Sequence, residues 1–200
     1  MVYRFAIIGA GIAGTSVGYW LSQHESVLVL ERESQPGYHT TGRSAAMFIE
    51  TYGPPLVRAL TVGSRPFYES PPAGFTEHPI LTPRGMMMIA TKDQQSHLDE
   101  AYAIAQQVGS KVERLSPSEA QERVPVLRAD RLAGATFEAD PTDIDVHALH
   151  QGFLKGIRQH GGKLVVSAEV MALTHRDKIW RIDTSNGTFE ATTVVNAAGA

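Results

Sequence analysis

Phe5-Ala6-Ile7-Ile8-Gly9-Ala10-Gly11-Ile12-Ala13-Gly14, followed by Ser26-Val27-Leu28-Val29-Leu30 and then Glu31, decides how this chain is read. Phe5–Ile8 is a short apolar run suited to a buried strand. The glycines follow at once and open a helix through Trp20-Leu21. A second apolar run ends on an acid. Strand, glycine-rich turn, helix, strand and acid in this order form the βαβ unit that binds dinucleotides.

Each residue type has a physical task. Gly9 permits the tight turn out of the strand, Gly11 lets a pyrophosphate approach the backbone, and Gly14 lets helix and strand pack closely. The helix start offers unpaired N–H groups and the positive end of its dipole to a phosphate. Glu31 lies 20 residues beyond Gly11, where a carboxylate accepts from ribose hydroxyls and repels a 2′-phosphate. An NADP-type ligand is therefore disfavoured.

Composition sets the outer limits. Two hundred residues make one or two domains, and 42% apolar content is enough for a real core. A net charge of −3 gives no footprint for nucleic acid or an anionic membrane. The absence of cysteine excludes disulfides and thiolate chemistry. No run of 18 apolar residues suggests a membrane span, and the first strand starts too early for a secretory signal. A cytoplasmic protein is the expectation.

Within the first helix, Ile12, Val17, Trp20 and Leu21 read as the core-facing stripe, and His24 as a solvated end. After Glu31 the chain turns at Gln35-Pro36-Gly37 and enters Tyr38-His39-Thr40-Thr41-Gly42-Arg43-Ser44-Ala45-Ala46. Hydroxyls, one arginine and small residues suit a loop leading to a helix start that grips phosphate or ribityl oxygens. A polar loop with a helix cap at Ser44 is the alternative.

With Gly9–Gly14 and Leu30-Glu31-Arg32-Glu33, that loop resembles the D-amino-acid oxidase superfamily of FAD-dependent oxidoreductases. Val57-Arg58-Ala59-Leu60-Thr61, Val124-Pro125-Val126-Leu127-Arg128, Ala148-Leu149-His150-Gln151-Gly152 and Val195-Asn196-Ala197-Ala198-Gly199-Ala200 resemble its D-arginine dehydrogenase branch. The resemblance implies FAD rather than NAD. It also implies an α/β fold, with a Rossmann-like FAD-binding domain (1–45 and 146–200) and an inserted α+β substrate domain that begins over 46–145. The second half of that fold would lie beyond this chain, so 200 residues alone are expected neither to hold FAD nor to turn over substrate.

The same resemblance places Gly9, Gly11, Ala13, Gly14, Glu31, Arg32, Thr40, Thr41, Gly42, Arg43, Ser44, Ala45, Ala46 and Met47 along the cofactor. Val170 would meet the adenine through its backbone, and Ala198-Gly199 would form a second turn by the diphosphate. His39 reads as a turn residue or a non-covalent neighbour of the flavin rather than its point of attachment. Met47, Ile49, Tyr52 and Met86 would face the substrate, with Tyr52 orienting it or serving as aromatic core. In the D-arginine dehydrogenase branch the Met86 position is a glutamate facing a cationic substrate. A thioether there implies a neutral, more apolar substrate, because burying a guanidinium without a partner costs several kcal/mol.

The implied reaction is oxidative deamination of a D-amino acid or related amine, with oxygen or a quinone as electron acceptor. A 2-hydroxy-acid dehydrogenase is the alternative, and an FAD-binding piece without activity a third. No catalytic side-chain base is expected among these residues.

The remaining stretches read as framework. Residues 56–70, Gln94–Val108 and Asp145–His160 suit helices, the last with Asp145 as N-cap and His147 and His150 as solvated residues rather than metal ligands. Ser116-Pro117-Ser118-Glu119 is a helix-start signature. Met86-Met87-Met88 reads as core filler. Lys163–Ser167 suits a strand returning to the nucleotide sheet. Trp180–Thr184 and Thr188–Ala191 suit a meander about Asn186-Gly187, and Thr193–Asn196 a separate buried strand.

Overall fold

A computed structural model describes residues 1–199; Ala200, the last residue of the closing motif, lies outside them. In chain order the elements are β1 (Val2–Ile8), α1 (Ile12–Ser22), β2 (Val27–Leu30), β3 (Met47–Phe48), α2 (Pro55–Glu69), β4 (Leu81–Pro83), β5 (Met86–Thr91), α3 (Gln95–Gln107), β6 (Val112–Leu115), α4 (Pro117–Arg123), β7 (Leu132–Glu138), β8 (Thr142–Ile144), α5 (Val146–Gln159), β9 (Lys163–Val165), β10 (Val170–Arg176), β11 (Ile179–Thr184) and β12 (Gly187–Asn196). They divide into two compact units: Met1–Ala45, Pro72–Ile80 and the chain from Val146 onward form one, and Ala46–Pro71 with Leu81–Asp145 form the other. Pro72–Ile80, read from sequence as part of the insertion, goes with the first unit because Phe75 packs edge-on against Tyr19 and Phe153.

The first unit is built on a six-stranded sheet in the order β10-β11-β12-β1-β2-β9. β12, β1, β2 and β9 run parallel, and β10 and β11 are antiparallel additions. Every residue of β2 is buried, as expected for a parallel strand covered on both faces. Side chains alternate between those faces. Ile7 and Val29 approach Gly18 of α1. Ala6, Leu28 and Leu30 turn the other way and pack with Ala168, Ile182 and Ala191.

Two sequence expectations fail here. Trp20 is 53% exposed and Val17 also faces solvent; the buried side of α1 is Gly14, Thr15, Gly18, Tyr19 and Ser22. Small residues won that face because α5 comes very close. A methyl on Gly18 would lie 2.9 Å from Ile157 Cδ1, and one on Gly156 would lie 2.4 Å from the Tyr19 ring. The separate strand read at Thr193–Asn196 is instead the second half of β12. Its first half pairs with β11 across the turn before Gly187, and the strand pairs with β1 from Glu190 onward.

The second unit holds two three-stranded sheets, β3-β8-β4 and β5-β7-β6, antiparallel throughout. Leu115, Ala120, Leu132 and Ala135 form a core with Met87 against it, whereas Met88 is 40% exposed. Only the middle methionine of the three packs against this cluster. α4 carries the expected capping box: Ser116 Oγ accepts from the Glu119 N–H, and Glu119 accepts from the Ser116 N–H.

Candidate functional site

The ends of β1, β2 and β12 meet at the glycine turn. The Gly9 N–H donates to Leu30 O (2.8 Å) and the Ala197 N–H to Ile8 O (2.8 Å), so three strand ends are tied together. Gly9 has φ of +99°, and a side chain there would strike Ala197 O at 2.5 Å. A methyl on Gly14 would lie 1.9 Å from Gly9 O. Both positions demand glycine, one for conformation as well as space. The turn at Ala198, whose N–H is held by Asn196 Oδ1 (3.1 Å), therefore lies against the first turn; Gly199 beside it is exposed.

The start of α1 has no cap of its own. Gly11 provides no side chain, and no acid occupies the first turn. The Ile12 N–H donates instead to Thr41 Oγ1 (2.9 Å), which brings the hydroxyl-rich segment onto the helix start. Thr41–Arg43 forms one short 3-10 turn. The helix expected at Ser44 does not form: Ser44 is already extended (φ −84°, ψ 130°), because the chain leaves directly for β3. Thr40, Gly42, Arg43, Ser44, Ala45 and Ala13 are exposed, and Ala46 and Met47 are half-buried. Arg43 lies over the Tyr38 ring at 5.2 Å.

Glu31 links the parts. Oε2 accepts from the Ala10 N–H (2.8 Å) and Oε1 from the Glu33 N–H (3.0 Å). Each oxygen keeps a further lone pair for a hydroxyl. Arg32 and His39 meet Glu33 instead, at 3.2 and 2.7 Å, and the hydrogen bond from His39 holds the Glu33 carboxyl below its usual range. Val170 begins the edge strand β10 and packs against the core beneath the sheet.

His150 contradicts its sequence reading as a solvated residue. It is only 3% exposed, and its Nε2 lies 2.8 Å from Ala10 O. A carbonyl can only accept, so Nε2 carries the proton. Burial pushes its pKa down, which favours the neutral ring. His147, one turn back, is exposed as expected. No spacing rule separates the two; only the approach of α5 to the turn does.

In the second unit Met47, Ile49 and Tyr52 line one open cleft of about 330 Å³ with Val57, Leu60 and Tyr68. Tyr52 is 74% exposed and is not aromatic core. Burial raises the Tyr68 pKa. Met86 is not among the lining residues. It lies opposite Glu138 in the β5–β7 ladder. Glu138 is buried, and its two oxygens accept from the Thr51 (3.2 Å) and Ser110 (2.9 Å) hydroxyls. Among the described residues no cluster of three or more His, Asp or Glu could hold a metal, and no helix is long and apolar enough to cross a membrane.

Residues 4–200 match the family described as FAD dependent oxidoreductase (DAO). The chain belongs to this family. DAO relatives include glycine oxidase of Geobacillus kaustophilus, 26% identical over 99% of this chain and 55% of its own length. A crystal structure of that glycine oxidase superposes with a TM-score of 0.86. N-methyl-L-tryptophan oxidase of Salmonella dublin is 25% identical over 100% of this chain and 54% of its own length. L-2-hydroxyglutarate dehydrogenase of Escherichia coli is 25% identical over 99% of this chain and 48% of its own length. The chain thus spans about half the length of these DAO relatives. The DAO cofactor is FAD, and the residues at the glycine turn suit it: a Gly11 whose added Cβ would lie 3.2 Å from Thr41 Oγ1, a helix start without an anion of its own, and a carboxylate with lone pairs to spare.

Proposed function

We propose that the protein containing this chain oxidises a neutral D-amino acid or a related amine. The feature that carries the reading is the meeting of Glu31, Thr41 and the start of α1 at the glycine turn. Gly9, Gly11, Ala13, Gly14 and Ala198-Gly199 would hold the diphosphate of FAD, Glu31 and Arg32 the adenosine, and Thr40–Met47 the flavin side; Val170 would pair with adenine through its backbone. When bound, FAD supplies the acceptor for the hydride that leaves the substrate Cα. The first unit would be the nucleotide domain and the second the start of the substrate domain. The chain's own residues bind, orient and exclude water.

The apolar lining of Met47, Ile49 and Val57, and the pairing of Glu138 with hydroxyls, support a neutral substrate. Tyr52 at the cleft would orient it, and Met86, which lies outside the lining of that cleft, would offer the substrate side a thioether in place of an acid. Kinship with the D-arginine dehydrogenase branch, without its preference for cationic substrates, belongs to this reading. A 2-hydroxy-acid substrate is the second reading, favoured by the match to L-2-hydroxyglutarate dehydrogenase. It requires a base for the hydroxyl proton, and the cleft lining contains no carboxylate or imidazole.

Anaerobic bleaching of the natural full-length yellow protein separates these readings. D-methionine or D-phenylalanine should reduce the flavin at least about tenfold faster than D-arginine or any 2-hydroxy acid. Equal rates with D-arginine would remove the neutral-substrate reading. Bleaching by 2-hydroxy acids alone would select the second reading, and failure to acquire a flavin spectrum would leave a non-catalytic piece. Readmitting air distinguishes oxygen from a quinone as acceptor.

A further inference from the structure

The imidazole of His150 lies where two separate stretches of the chain turn. On one side its Nε2 meets the carbonyl of Ala10, the central residue of the glycine turn (2.8 Å). On the other side Gly37 rests on the ring: a methyl there would lie 3.0 Å from Cε1 and 3.3 Å from Nδ1. The Gly37 carbonyl accepts from the Gly42 N–H (2.8 Å), which closes the loop carrying Thr40, Thr41 and Arg43. Thr41 Oγ1 then accepts from the Ile12 N–H. Ala10 is held at both of its peptide units, the Gly9–Ala10 unit through its N–H by Glu31 and the Ala10–Gly11 unit through its C=O by His150.

We propose that His150 is a positioning residue for the flavin nucleotide, with its Nε2–H fixing the Ala10 peptide while its ring supports the Gly37 turn, so that one side chain sets both halves of the clasp. The inference rests on the FAD reading above. It is independent of the substrate. Rotation of the Ala10–Gly11 peptide would tilt the Gly11 N–H, which shares its plane with the Ala10 carbonyl, away from a diphosphate held at the turn. Displacement of Gly37 would carry Thr41 away from Ile12. Two charged or titratable groups act on the ring, Glu31 from the end of β2 and His147 from its own helix, with opposite effects; burial outweighs both and keeps the ring neutral.

Glutamine and asparagine at this position separate placement of a donor from mere occupancy. A glutamine amide reaches about as far as Nε2 of histidine, whereas an asparagine amide stops short of Ala10 O. In the natural full-length polypeptide, FAD is removed and titrated back, and the dissociation constant is read from flavin fluorescence. His150→Gln, which keeps the donor but loses the ring beneath Gly37, should bind FAD about threefold more weakly than wild type. His150→Asn and His150→Leu should bind at least about tenfold more weakly, with far-UV dichroism of the apoprotein unchanged. Wild-type affinity in His150→Asn, or equal weakening in His150→Gln and His150→Asn, overturns the inference and leaves the FAD reading standing. If His150→Leu does not fold, the glutamine–asparagine pair still decides. A wild-type protein that takes up no FAD overturns both.

Discussion

Glu31 shows why one residue in a motif can matter twice. The sequence spacing identifies it as an acceptor for ribose hydroxyls, a role that remains a proposal. The geometry adds a structural role, because both oxygens already hold backbone N–H groups, those of Ala10 and Glu33. Glu31→Gln keeps the shape but puts an NH2 against one of those donors. A half-buried N–H left without its acceptor costs about 1–3 kcal/mol. Thermal unfolding of the cofactor-free protein should therefore register a loss of that order before any ligand is added. An unchanged melting temperature would mean that Glu31 acts on ligand alone. His150 marks the opposite case at this scale. Its spacing from His147 is visible in the sequence, but its burial depends on Ala10, 140 positions away, and no local pattern encodes that contact.

Elements were legible where their signals are local. The βαβ fingerprint, the Ser116–Glu119 capping box and the turn before Gly187 all place chemistry within a few residues. Elements whose faces are chosen by a distant partner were misread. The apolar stripe of α1 reads through Trp20, yet Gly18 and Tyr19 face inward because α5 packs there, and Gly14 because the Gly9 turn and Ile7 lie against it. The hairpin between β10 and β11 gave no glycine signal either, since Asp177 and Lys178 themselves adopt positive φ. The α4 cap yields a prediction at this scale. Ser116 hydrogen bonds hold the Glu119 carboxyl below its usual range, so the ionised form is the one that caps. A folded-state pKa below the unfolded value contributes stability above the ordinary carboxylate pKa of 4.5, and that contribution disappears as pH falls through the folded value. Ser116→Ala should cost about 1 kcal/mol at pH 7 and less near pH 3. A cost equal at both pH values would show that the glutamate takes no part in the cap.

Across the whole molecule, the chain passes between its two units four times, at residues 45, 71, 80 and 145. The central pair of the first unit, β1 with β12, joins residues almost 190 positions apart, whereas β5, β6 and β7 pair within one continuous stretch. Each unit has its own apolar cluster, one around Leu28, Leu30 and Ile182, the other around Leu115, Leu132 and Ala135. Surface ion pairs add little to either: Arg114–Asp99, Arg128–Asp130 and Arg181–Asp183 all have an exposed arginine, and such pairs are worth about 0–1 kcal/mol. Stability should therefore respond to each core separately. Ile182 is fully buried in the first, and truncating it to alanine removes about 2–5 kcal/mol of packing. In the natural full-length protein, hydrogen exchange of Ile182→Ala should accelerate first in β1, β2, β11 and β12, with β5, β6 and β7 retaining most of their protection. Equal acceleration in both sets would mean that the two cores open as one cooperative body, and that the crossings bind the units more tightly than their separate clusters imply.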